Sequence, residues 1–213
     1  MATLSPEERE KADRFCFERD RDRYAMSRGI LRKLLGEYLC VSPGKLQFYY
    51  GKYGKPYLAD QVLPYPVHFS VSHSFELVLF AFSRDQEIGI DLERIRTDFD
   101  FESIARRFLS PGEFTKLFSL MPPARAAEFF RLWTRMEAYA KALGIGISLL
   151  DGQGTSSQGG EDSAWRIVCN PGEGLPGWKI EEFTPEPGYV ASVASTVPTL
   201  TLKHWKYSDS PQR

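Results

Sequence analysis

Cysteine is scarce in this 213-residue chain: Cys16, Cys40 and Cys169 stand far apart, in no CxxC or Cys/His pattern. They support neither a disulfide framework nor a zinc site, and a reducing, cytoplasmic setting is expected. Charge of one sign is equally short. A net charge of −1 and a pI near 6.3 lack the basic excess of a protein that grips nucleic acid through its phosphates, so no nucleic-acid partner is expected. No window approaches the roughly 20 apolar residues that span a bilayer, and MATLSPEEREKADRF is charged from its seventh residue onward. Neither a membrane span nor an export signal is expected. With 42% hydrophobic residues the chain can bury one sizeable core or two small ones.

Ser5-Pro6-Glu7-Glu8 reads as an N-cap, a first-turn proline and acids at the positive end of a helix. Charged residues interleaved with Phe15, Tyr24, Leu31 and Leu35 continue the helical pattern to about Cys40, with room for one break, and Ser42-Pro43-Gly44 closes it. The period then shortens. LQFYY, VHFSVSH, ELVLFAFS and EIGIDLE are β-rich runs between Gly and Pro turns. The same order returns, with helical sequence from about Phe101 to Leu143 and then AWRIVCN, GWKIEEF, GYVASVAS and LTLKHWKY as strand candidates. The fold class expected is α+β, in two similar α/β halves at residues 1–100 and 101–213. DGQGTSSQGGED, from Asp151 to Asp162, has no apolar anchor and reads as a loop.

Three acids interrupt apolar sequence: Asp91 and Glu93 in IGIDLE, and Glu137 in RLWTRMEAYAKALG. Residues two apart on a strand face one side, so Asp91 and Glu93 project together with Leu92 turned away. Taken alone, IGIDLE also fits a strand ending in acids at a turn. Likewise, Glu137 and Lys141 fit a solvated i, i+4 ion pair of about 0.2–0.5 kcal/mol. The small and apolar neighbours Trp133, Ala138, Ala140 and Ala142 point the helix inward instead, and Gly144 and Gly146 end it. Magnesium prefers oxygen ligands and combines a few carboxylates with phosphate oxygens and water, which Asp91, Glu93 and Glu137 would complete. Cationic or hydroxyl groups for phosphate are offered by Ser72 and His73 in VHFSVSHS, by Lys55 in the turn YGKP, and by Lys11 and Arg23 in the first helical region.

The ordered set SPEEREKADRF, YGKPYL, FSVSHS, IGIDLE and LWTRMEAYAKALGIGI resembles the Sfp-type 4′-phosphopantetheinyl transferases, whose hallmark is (I/V)G(I/V)D followed by WxxKExxxK. The resemblance implies two similar subdomains about a pseudo-twofold axis with the active site in the cleft between them. It implies transfer of phosphopantetheine from coenzyme A to a serine of an apo acyl or peptidyl carrier protein, releasing adenosine 3′,5′-bisphosphate. By the same resemblance Asp91, Glu93 and Glu137 bind Mg2+, with Mn2+ a possible substitute. Lys141 and His73 meet the pyrophosphate beside Ser72, Lys55 and Pro56 line the adenine site, and Lys11 and Arg23 meet the 3′-phosphate. Glu8 stands where some relatives have a lysine, and Met136 where the family lysine of the KE pair is usual. Glu137, Lys141, Asp91 and His73 form the catalytic set, with Glu137 as general base, in a monomer. Arg94, Arg96, Arg106 and Arg107, among Phe99, Phe101, Ile104, Phe108 and Phe114, match the carrier-docking region, although those aromatics equally fit a core. A catalytically silent scaffold and another magnesium-dependent phosphate enzyme are the alternative readings.

Overall fold

A computed structural model describes residues 3–59, 66–149, 177–196 and 200–207. Two short helices introduce two long ones. Helix α1 (Pro6–Asp13) has 8 residues and α2 (Glu18–Leu39) has 22; later in the chain, helix α4 (Pro111–Phe118) has 8 and α5 (Pro122–Leu143) has 22. Both short helices begin alike: in Ser5-Pro6-Glu7-Glu8 and Ser110-Pro111-Gly112-Glu113 the serine side chain accepts the N–H three residues on, and that glutamate reaches back to the serine N–H. The helical pattern is interrupted between α1 and α2 at residues 14–17. The helical sequence over 101–143 forms three helices, because Ser110-Pro111 starts α4 and Pro122 starts α5 after α3 (Glu102–Phe108).

The described strands form three small sheets. Strand β1 (Phe48–Tyr50) pairs with β2 (Pro56–Leu58), and β3 (Val67–Ser74) forms an antiparallel hairpin with β4 (Leu77–Arg84). The third sheet has the order β5-β7-β6, built from β5 (Ile88–Arg94), β6 (Lys179–Phe183) and β7 (Tyr189–Ser195). Thus β5, which precedes residue 100, takes its ladder partner from the second half of the chain, with Asp91 opposite Ser192. GWKIEEF and GYVASVAS contain β6 and β7 as expected. LTLKHWKY does not form a strand over 200–207: Leu200 and Leu202 cover Ala81, Ile88, Ile90 and Val193 without joining a ladder. AWRIVCN and the Asp151–Asp162 loop lie outside the described residues, as does Cys169.

Strands β3 and β5 run side by side without a backbone ladder. Alternate serines of β3 supply the link: Ser70, Ser72 and Ser74 accept the N–H groups of Ile90, Leu92 and Arg94 at 3.1, 3.2 and 3.1 Å. Helix α5 packs directly on β5, and Gly89 makes that possible, since a Cβ there would collide with the carbonyl oxygen of Ala138 and the nitrogen of Ala142. The cores follow this division. Leu31 and Leu35 of α2 pack with Phe69 and Val71 of β3, while α5 packs Phe129, Phe130 and Met136 with Phe101, Phe108 and Leu117.

Candidate active site

Asp91 and Glu93 project to one side of β5, as their spacing requires, and β3 holds both. Ser72 Oγ donates to Asp91 Oδ1 at 2.9 Å, and Ser74 Oγ donates to Glu93 Oε2 at 3.0 Å. Lys141 reaches across from α5, its Nζ 2.5 Å from Asp91 Oδ1 and 3.1 Å from Ser72 Oγ. The lysine therefore pairs with Asp91, not with Glu137 one turn before it. The Ser72 hydroxyl gives its one proton to Asp91 and accepts from Leu92 N–H and Lys141, which fills its capacity. Its work is to position an acid and a base.

The acids retain unfilled capacity. Asp91 is only 4% exposed, yet its Oδ2 has no hydrogen-bond partner among the described residues. Glu137, half-buried, has neither an ion pair nor a hydrogen bond there. Burial pushes the Glu137 carboxyl above the ordinary range; Lys141 opposes this, and the charges of Asp91 and Glu93 add to it. Burial also raises Glu93, reinforced by Asp91 and opposed by Ser74, Arg96 and Lys141. Among the described residues no three acid, histidine or cysteine side chains stand close enough to hold a metal as they are. The donor chemistry nevertheless fits a hard cation: carboxylate oxygens only, one of them buried and orphaned.

The remaining expected residues are distributed around this centre. His73 is exposed on the face of β3 opposite Ser72 and Ser74, in line with Val71 on the side that meets α2. Arg23, on α2, forms an ion pair with Glu76 in the turn after β3. The Lys11 ammonium lies over the rings of Tyr24 and Tyr50, 5.4 and 5.8 Å from their centres, beside a cavity of about 1220 Å³ that Arg14, Lys45 and Phe48 also line. None of the four groups at the acid centre lines that cavity. Lys55 Nζ is turned inward, to Glu87 at 2.7 Å and to the carbonyl of Ala142 at 2.9 Å, where it serves the C-terminal end of α5. Pro56 opens β2 opposite Tyr50.

Sequence reasoning missed several of the residues that shape the site. Ser70 and Ser74 were legible as a polar row at alternate positions of an otherwise apolar strand. Glu8 proves structural: 4% exposed, it receives Arg28 Nε and Arg32 Nε at 2.6 Å each and completes the Ser5 capping box. Met136 is 1% exposed in the core of α5, and Arg135 is turned toward Glu182 of β6, 3.3 Å away, so it does not take up the role of the family lysine. The aromatics of the expected docking region belong to the core: Phe101 and Phe108 are buried, and Phe99, Ile104 and Phe114 pack against them.

A strand carrying two acids is thus faced by a helix carrying a third acid and a lysine. Residues 1–85 match the family model "4'-phosphopantetheinyl transferase, N-terminal" and residues 87–194 match the "4'-phosphopantetheinyl transferase superfamily". The chain belongs to that superfamily and is a transferase. It is 39% identical over 211 residues to the 4'-phosphopantetheinyl transferase HetI of Nostoc sp., covering 97% of this chain and 84% of that one. It is 34% identical to the 4'-phosphopantetheinyl transferase Sfp of Bacillus subtilis, over 70% of this chain and 64% of that one. The mouse L-aminoadipate-semialdehyde dehydrogenase-phosphopantetheinyl transferase is 29% identical over 69% of this chain and half of its own length. The family uses coenzyme A as its substrate and acts on carrier proteins. Silent scaffolds and unrelated phosphate enzymes are not favoured by these likenesses.

Proposed function

We propose that this chain transfers 4′-phosphopantetheine from coenzyme A to a serine of an apo acyl or peptidyl carrier protein, with Asp91, Glu93 and Glu137 as ligands of Mg2+ and Mn2+ as a possible substitute. The observation that carries the assignment is the acid centre itself: a buried Asp91 oxygen and a Glu137 carboxyl that have no hydrogen-bond partner among the described residues, with Lys141 between the long helix and the strand. When bound, the metal supplies charge neutralisation at the phosphate oxygens. Glu137 takes the proton of the acceptor serine on the carboxylate oxygen that does not meet the metal. The serine oxygen bonds to the β-phosphorus of coenzyme A, the bond to the bridging oxygen breaks, and adenosine 3′,5′-bisphosphate leaves with that electron pair. Lys141 and His73 stabilise the charge left on the bisphosphate. Ser72 holds Lys141 and Asp91 in place for this.

The nucleotide end is assigned to the side of β3 that faces α2. Lys11 and Arg23 meet the 3′-phosphate there, Arg23 on release from Glu76, and the turn carrying Lys55 and Pro56 borders the adenine. Matched helix lengths and the two Ser-Pro capping boxes support two similar subdomains about a pseudo-twofold axis, with the substrate between them. We assign the enzyme to the cytoplasm as a monomer without nucleic-acid partners. Exposed free Cys16 and Cys40 support that setting, and no described helix is long and apolar enough to cross a membrane. The test is to incubate the protein with coenzyme A, Mg2+ and an apo carrier and weigh the carrier. A gain of one phosphopantetheine is expected; no gain with several carriers, although coenzyme A binds, overturns the assignment.

A further inference from the structure

The turn that joins β3 to β4 carries a residue its backbone disfavours. Phe75 has φ of 52°, in the left-handed region that glycine enters freely and bulky side chains rarely adopt. The ring is 44% exposed, so burial does not offset that conformation. Two guanidinium groups meet it instead, Arg94 at 4.7 Å and Arg96 at 5.9 Å from the ring centre. Arg96 is backed on its other side by Phe99 at 4.3 Å. Among the described residues neither arginine forms an ion pair, and Arg96 Nε is buried without a hydrogen-bond partner.

This group borders the acid centre. The Ser74 hydroxyl, immediately before Phe75, donates to Glu93 and accepts the Arg94 N–H. The structure thus joins three features at one lip of the site: an exposed apolar ring, two guanidinium groups in no ion pair among the described residues, and backbone that would relax if the ring were absent. A net charge of −1 gives no general attraction for anions, so such a local pair is what an acidic protein surface would meet.

We propose that Phe75 is a specificity-determining residue for the acceptor: its ring seats an apolar side chain of the carrier and holds Arg94 and Arg96 toward carboxylates on the carrier's surface. The inference rests on the carrier reading above. The neighbouring Glu76 pairs with Arg23 of α2, so the test reads the constants for the carrier and for coenzyme A separately.

The test is steady-state kinetics of Phe75→Gly and Phe75→Tyr with an apo carrier and coenzyme A. The Gly variant suits the turn and keeps or raises the melting temperature; its KM for the carrier rises about tenfold, as for loss of one interface anchor, while kcat and the KM for coenzyme A stay within about twofold. The Tyr variant keeps a near-wild-type KM. If the Gly variant is not recovered folded, Phe75→Asn, which also tolerates a left-handed turn, takes its place. An unchanged carrier KM overturns the proposal, as does a rise in the KM for coenzyme A or a Tyr variant as impaired as the Gly one. Wild-type transfer with an unaltered KM in the Gly variant overturns this inference alone; absence of transfer by the wild type overturns the carrier reading and this inference with it.

Discussion

Glu137 illustrates how a side chain's surroundings reveal its use. It sits on a buried helix face, unpaired among the described residues, with its carboxyl raised by burial and by Asp91 and Glu93 against the pull of Lys141. A folded pKa above the unfolded one means that the protonated form favours the fold, so this contribution is present below the unfolded value and lost as pH rises through the raised one. Glu137→Gln is therefore expected to melt higher than the wild type at pH 7, with the difference gone near pH ~4. The same change should lower turnover by about 10²-fold, the usual scale for losing a positioned proton acceptor. Met136 belongs to the same scale. It is buried among apolar side chains, so Met136→Lys should cost about 3 kcal/mol in urea unfolding and bring no faster turnover. A faster variant would show that the family lysine can still reach the phosphates here.

At the scale of elements, two contacts fix the site: the serine row between β3 and β5, and the approach of α5 to β5 over Gly89. A third is remote. Glu8 ties α1 to α2 through Arg28 and Arg32, and Arg32 goes on to the carbonyls of Pro43 and Leu46 at 2.8 and 2.9 Å. Burial alone would raise the Glu8 carboxyl, but Arg32, the Ser5 N–H and Arg28 outweigh it and hold it below the ordinary range. Its stabilisation is thus present above the unfolded pKa and lost as pH falls through the lowered one. Glu8→Gln leaves two buried guanidinium groups uncompensated and should cost about 3–5 kcal/mol at neutral pH, read by chemical denaturation. A loss below ~1 kcal/mol would place the pair in the weak surface class. A lysine at this position would need a different arrangement of α1.

At the scale of the molecule, the helix-then-strand order and the shared side of Asp91 and Glu93 were legible because local periodicity sets both. What was not legible depended on distant partners. IGIDLE reads as a strand, but nothing within it reveals that Ser192 on β7 lies opposite Asp91. LTLKHWKY has strand composition, yet Leu200 and Leu202 are used to cover an existing core. Lys141 looked like the natural partner of Glu137 at helical spacing, and the fold supplies Asp91 as a stronger one. The Lys55 turn was recognisable, whereas the inward use of its ammonium by Glu87 and the end of α5 required the tertiary structure.

The claim on which the whole account turns is that the acids of β5 and α5 form a metal-dependent transfer centre. The most direct measurement is the rate of phosphopantetheine gain on an apo carrier as Mg2+ is titrated, for the wild type and for Asp91→Asn. Chelation should abolish wild-type transfer, and the variant should need at least ~10-fold more Mg2+ for its half-maximal rate, because it loses one charged ligand oxygen. Wild-type transfer that persists under chelation, or a variant with the same Mg2+ requirement as the wild type, would contradict it.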